Sequence, residues 1–160
     1  MTYSLTLADE WLSEHSCIVT YSDIFYTSNI VKKLIESGSD ISIAYDPNWE
    51  ALWRKRFKNP LDDAESFKIT GTNRLLEIGK KANYLSEIEG QYMGLLKFNP
   101  YGWREFKKIA FELIKHKSKT IHMTETLNEC ISQGLEITAV PCFDDWGEVD
   151  TLSDLELYNQ

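Results

Sequence analysis

With 160 residues, of which 42% are hydrophobic and 26% charged, the chain has the make-up of an ordinary folded domain and the length for one hydrophobic core. No apolar run approaches the ~20 residues of a membrane-spanning helix, and the start "MTYSLTLADEWL" lacks a signal peptide's basic opening, so a cytoplasmic protein is expected. A formal charge of −8 argues against a DNA or RNA partner but leaves a nucleotide open, because a divalent cation can offset repulsion between carboxylates and phosphates.

In chain order, "SLTLADEWLSE" places Leu5, Ala8 and Leu12 on one helical face. "CIVTY" reads as a buried strand that stops at Ser22 and Asp23. Thr27 or Ser28 can cap a helix through "NIVKKLIES", whose apolar stripe is Ile30, Val31, Leu34 and Ile35, with Gly38 as the stop. "ISIAYD" is a second strand ending at Asp46. In "NWEALWRKRF", Trp49, Leu52, Trp53 and Phe57 recur at helical spacing. "SFKITGTNRLLEIG" predicts two short strands around a turn, and "EGQYMGLLKF" a longer one, with Gly90 and Gly94 where side chains would obstruct a neighbour.

After "NPYG" comes a helix with Trp103, Phe106, Ala110 and Leu113 on one face, and Lys115 and Lys117 suit its negative end. A shorter helix follows from Thr124, with Leu127, Cys130 and Ile131 inward and Gly134 at its end. "LEITAV" is a last strand and "SDLELYN" a closing helical turn. Strands alternating with helices imply an α/β three-layer sandwich around a mostly parallel, Rossmann-like sheet, with a small antiparallel insert near residues 66–98. Cys17, Cys130 and Cys142 lack CxxC spacing and read as free thiols, and no HExxH-like pair links His15, His116 and His122.

The chemistry lies in acids at strand ends, where ligands of open α/β sheets gather. Asp23 and Asp46 sit at such ends, and "FDDWGEVDTLSDLELY" supplies Asp144, Asp145, Glu148, Asp150 and Asp154. Two aspartates from distant loops with phosphate oxygens would suit magnesium. Each has a structural alternative: Asp23 as a turn residue, Asp150 and Asp154 as charges at a helix start, Asp154 as a cap in competition with Ser153. Trp49 and Trp53, completed by Tyr92 and Trp146, fit either an aromatic cage for a quaternary ammonium or plain core packing. Arg54, Lys55, Arg56 and Lys58 fit either an anionic acceptor or a solvated helix face.

Several segments together resemble the nucleotidyltransferases that join a nucleoside monophosphate to a sugar phosphate, choline phosphate or a related acceptor. They are "TYSDIFY", "IEGQYMGLLKF", "MTETLN" and "ITAVPCFDDWGEVDTLSDLELY", in order across nearly the whole chain. The resemblance implies a Mg²⁺-dependent transfer, with Asp23 and Asp150 as the paired metal ligands. Glu89 and Gly90 would line the acceptor side; Asp46, by its place at the sheet edge, and the aromatic set Trp49, Trp53, Tyr92 and Trp146 complete the candidate substrate-binding residues. It further implies a nucleoside triphosphate partner, CTP by preference, and an acceptor such as choline phosphate, an aminoalkyl phosphonate or a sugar phosphate. The family's opening strand and glycine-rich loop, roughly G-x-G-x-R and then Pro-Lys, have no counterpart here. Residues 1–160 are therefore expected to be a single domain lacking the N-terminal strands, with an exposed sheet at "CIVTY" open to self-association or a partner chain. A catalytically incompetent binding module is the alternative expectation.

Overall fold

The computed structural model describes residues 1–117 and 119–159. The first predicted helix is broken in two, α1 (Thr2–Thr6) and α2 (Asp9–Glu14), with Leu7 at the junction 74% exposed and Leu12 buried. Strand β1 (Cys17–Thr20) follows, then a short strand β2 (Ile24–Tyr26) that the sequence pattern does not announce. Helix α3 (Ser28–Glu36) starts at the expected cap, Thr27, although the hydroxyl makes no capping bond. Its Ile30 and Leu34 are fully buried, whereas Ile35 turns out to solvent, and Gly38 leaves the helix with φ +68°. Strand β3 (Ile41–Asp46) is buried at all six residues. Burial on both faces of a strand requires layers on both sides of its sheet.

Helix α4 (Trp49–Arg56) leads to an antiparallel ribbon of β4 (Glu65–Ile69) and β5 (Leu75–Lys81), which is the expected insert. Strand β6 (Gln91–Phe98), helix α5 (Pro100–His116), helix α6 (Met123–Ser132) and strand β7 (Thr138–Pro141) complete the main body. The chain closes with β8 (Trp146–Glu148) and α7 (Leu152–Tyr158).

The central sheet has the order β1-β6-β3-β7. Strands β1, β3 and β7 run the same way, and β6, between β1 and β3, runs opposite to both. Helix α5 covers the face that carries Phe98, whose ring lies 5.7 Å from Trp103 and 5.0 Å from Phe106. Helix α3 covers the other face, where the Ser37 hydroxyl donates to that of Ser42 at 3.2 Å. These are the three predicted layers. Strand β1 ends the sheet, and its Cys17, Ile18 and Val19 are only half-buried.

Close approach of α5 to the sheet depends on Gly102. A Cβ there would collide with the carbonyl oxygen of Asp40, a backbone atom that cannot swing aside. Gly102→Ala is therefore expected to cost about 1–3 kcal/mol in urea unfolding. Gly71→Ala, at a turn with open space around the new methyl, should stay within about 0.5 kcal/mol of the parent.

Candidate metal and acceptor site

Strands β2 and β8 form an antiparallel ribbon separate from the central sheet, with Ile24 opposite Glu148 and Tyr26 opposite Trp146. Beyond the last pair, the Val149 N–H donates to the carbonyl of Asp23 at 2.8 Å. That bond places Asp23 beside the segment carrying Asp150, although 127 positions separate them in sequence. Both are exposed, the Asp150 side chain by 48%. The ribbon closes tightly because residue 147 is glycine: a Cβ there would enter the rings of Phe25 and Tyr158, which stand edge to face at 4.8 Å.

Arg56, at the end of α4, is the group that sequence reasoning missed. The basic run Arg54, Lys55, Arg56 and Lys58 fits either an acceptor-facing or a solvated cluster in sequence, yet the Arg56 side chain is only 1% exposed. Its Nη1 donates to Glu148 at 2.7 Å, its Nη2 to Asp150 at 2.9 Å, and its Nε to Asp154 at 2.9 Å. The guanidinium lies over the rings of Trp53 and Phe57, at 5.4 and 5.2 Å. Burial opposes its charge, but the hydrogen bonds to Asp154, Glu148 and Asp150 outweigh that, and its pKa is raised. The hydrogen bond from Arg56 holds Asp154 down at about 2, whereas burial pushes Glu148 up in spite of the same partner. A tryptophan three residues before an arginine and a phenylalanine just after it, with acids near the C-terminus, is the signal that the sequence offers.

Asp154 is not the cap of α7 but the third residue of the helix, the reciprocal partner of the cap. It accepts the Thr151 N–H at 3.0 Å, while the Thr151 hydroxyl accepts the Asp154 N–H at 3.2 Å; Thr151, not Ser153, is the cap. Asp46 is buried at the end of β3. One of its oxygens takes the Asn48 N–H at 2.7 Å and the other the Trp146 indole N–H at 3.0 Å. It thus pins the start of β8 to the sheet edge.

Trp49 and Trp53 are 4% and 3% exposed and donate to the Ile88 carbonyl and to Asp63. Their rings pack against each other, and Trp53 packs against Trp146 at 6.3 Å. This is the core-packing alternative, and the cation over Trp53 is the chain's own Arg56. Tyr92 does not join them: it is half-buried, edge-on to Tyr21 at 5.9 Å, and its buried hydroxyl has no hydrogen-bond partner among the described residues. Burial raises its pKa far above the usual phenol value. Glu89 is exposed and accepts the Ile69 N–H at 2.7 Å, tying β4 to the approach to β6. The space beside Gly90 is taken by the Tyr45 ring, so its missing side chain serves that packing.

Two hollows flank these residues. One of about 320 Å³ is lined by Met1, Leu5, Val19, Tyr21, Asp23 and Met123, and one of about 230 Å³ by Asp46, Lys55, Phe143, Asp144 and Trp146. Among the described residues no three or more His, Cys, Asp or Glu side chains converge as a metal cage. The exposed pair Asp23 and Asp150 is chemically suited to Mg²⁺, which takes one or two carboxylates and fills its shell with water and phosphate oxygens.

No family model matches the chain. A CTP:phosphoglutamine cytidylyltransferase of Campylobacter jejuni is 39% identical over 146 residues, 88% of this chain and 57% of the relative. The chain thus spans little more than half the length of the curated relative it matches. Its fold matches that of an inositol-1-phosphate CTP transferase of T. maritima with a TM-score of 0.70 at 16% identity, over 98% of this chain and 59% of that one. A chain described as a glucose-1-phosphate thymidylyltransferase of Bacillus anthracis matches with a TM-score of 0.68 at 13% identity, over 99% and 59%. The chain belongs to the nucleotidyltransferases. The expected α/β sandwich is the fold that the chain shares with these solved structures.

Removing Arg56 would strand three carboxylates. Arg56→Ala is expected to lower stability by about 3 kcal/mol in urea unfolding at neutral pH. Asp154 sets an acid limit. With a folded-state pKa of about 2 against an ordinary 3.8, its contribution is complete above that ordinary value and is lost as pH falls from there through about 2. Denaturant unfolding of the parent should lose about 2 kcal/mol from this group across that window. Asp154→Asn should lack that component.

Proposed function

We propose that this chain carries the metal-binding and acceptor-binding part of a CTP-dependent cytidylyltransferase acting in the cytoplasm. In this reading CMP passes from CTP to a small phosphorylated acceptor. An acceptor oxygen forms a bond to the α-phosphorus, the bond from that phosphorus to the bridging oxygen breaks, and pyrophosphate leaves. The observation that carries the proposal is the Val149–Asp23 backbone bond, which sets Asp23 beside the segment bearing Asp150. The identity of 39% with a cytidylyltransferase supports the choice of CTP.

Asp23 and Asp150 are the residues assigned to Mg²⁺, which when bound supplies positive charge against the phosphates. The chain's own contribution is to hold two carboxylates at one sheet edge on a rigid ribbon and to align the substrates' anionic groups. An acceptor of the phosphoglutamine kind takes first place because it is the substrate in the relative's name. Sugar phosphates and aminoalkyl phosphonates stand behind it. Choline phosphate comes last, since the Trp49 and Trp53 rings are buried in the core. The free edge of β1 supports association there, with a second copy or with a polypeptide that supplies the triphosphate cradle. Light scattering across a concentration series tests this, and a constant monomer mass in the absence of any partner would count against self-association.

Calorimetric titration of the chain with CTP in Mg²⁺ tests the nucleotide reading. Heat is expected that disappears in Asp23→Ala and Asp150→Ala. Heat that persists in both variants refutes the assignment of the pair. Pyrophosphate release with phosphoglutamine then reports the acceptor. The second reading, a binding module without turnover, is favoured by one observation: among the described residues no three or more His, Cys, Asp or Glu side chains converge. It predicts ligand heat with no pyrophosphate under any acceptor.

A further inference from the structure

Arg56 does more than anchor the C-terminal segment. Asp154, 6% exposed and held by Nε, would suffice to fix α7 against α4, yet another arm of the same guanidinium reaches the half-exposed Asp150. We propose that Arg56 is a positioning residue for Asp150, holding its carboxylate in place for a divalent cation. The inference rests on the assignment of Asp150 as a metal ligand.

The geometry behind it is a line of support running outward from the core. The Trp53 indole is fixed by its bond to Asp63 and by contact with Trp146. Arg56 lies over Trp53 and over Phe57 and is further held by Glu148 and Asp154. It therefore has no freedom to follow Asp150; Asp150 must come to it. One carboxylate oxygen, Oδ2, is engaged at 2.9 Å, and the side chain remains 48% exposed. A carboxylate gripped by one oxygen has lost most of its rotational freedom while still offering the other, which is how outer partners raise a ligand's fitness for a metal. The planar fork is essential to this. Lysine would keep the positive charge but could neither bond three acids in fixed directions nor stack on the rings.

The experiment is Mn²⁺ binding to the full chain, with Mn²⁺ alone as the probe and free ion counted by electron paramagnetic resonance. Arg56→Lys is expected to weaken binding about tenfold. Asp150→Ala should weaken it at least as much. Gly102→Ala, destabilised at the far end of the sheet, should stay within about twofold of the parent, the ordinary range for a site it does not touch. Trp53→Leu keeps the guanidinium and its acids but removes one ring beneath it. It should weaken binding by about threefold, and it decides the matter if Arg56→Lys fails to fold.

Parent-like binding by Arg56→Lys, or by Trp53→Leu where it stands in, overturns the inference while Asp150→Ala still weakens binding. An equal loss in Gly102→Ala also overturns it, because the effect would then be general loosening. Indifference of Asp150→Ala overturns the metal-ligand assignment and the inference with it.

Discussion

A guanidinium cannot shed its proton inside a protein, so a chain that buries one must bring acids to it. Arg56 is that obligation here. The acids that meet it all come from residues 148–154, and their arrival decides where the C-terminal segment lies. Once Glu148 and Asp154 are held against α4, β8 falls alongside β2 and Val149 reaches Asp23. The proposed metal pair is thus a by-product of an ion cluster that also fastens the closing helix.

The central sheet supplies the platform on which this happens. Strand β6 runs against its neighbours, and aromatic rings pack close to Gly94 within it, under Tyr21, and to Gly90 just before it, under Tyr45. Gly94 has φ +75°, a conformation in which a side chain would be strained. The result is a tight aromatic layer in which Tyr45 stacks on Phe67 and Tyr21 meets Tyr92 edge to face. It fixes the loop from Tyr21 to Asp23 at the sheet edge, so Asp23 departs from a well-defined point. Asp46 does the same for the other approach, since its two oxygens tie the turn after β3 to the indole at the start of β8.

Periodicity made the long elements legible. Trp103, Phe106 and Ala110 in α5, and the unbroken apolar run of β3, are patterns that local sequence can display. The three-residue strands β2 and β8 are too short for a pattern, and each exists only because the other pairs with it. The acids at the strand ends could be found as candidates, but their convergence depends on a partner 127 positions away, which came into view only through resemblance to a family. Arg56 was hidden for a related reason. Its neighbours Arg54 and Lys55 are exposed, and a basic run looks uniform until burial distinguishes its members. The paired tryptophans show the converse, since helical spacing alone could not separate a binding cage from a core.

All four strands of the central sheet are complete by Pro141, whereas β8 and everything that Arg56 grips lie beyond it. Translation therefore delivers every strand of that sheet before it delivers a partner for β2. Until the last stretch leaves the ribosome, the Arg56 charge has none of those acids to pair with, and closing so long a loop carries an entropic cost that only the finished cluster offsets. The order of translation makes the carboxylate pocket the final piece to assemble, and a chain cut short near residue 145 would keep a body of sheet and helices with a charged, unsatisfied flank.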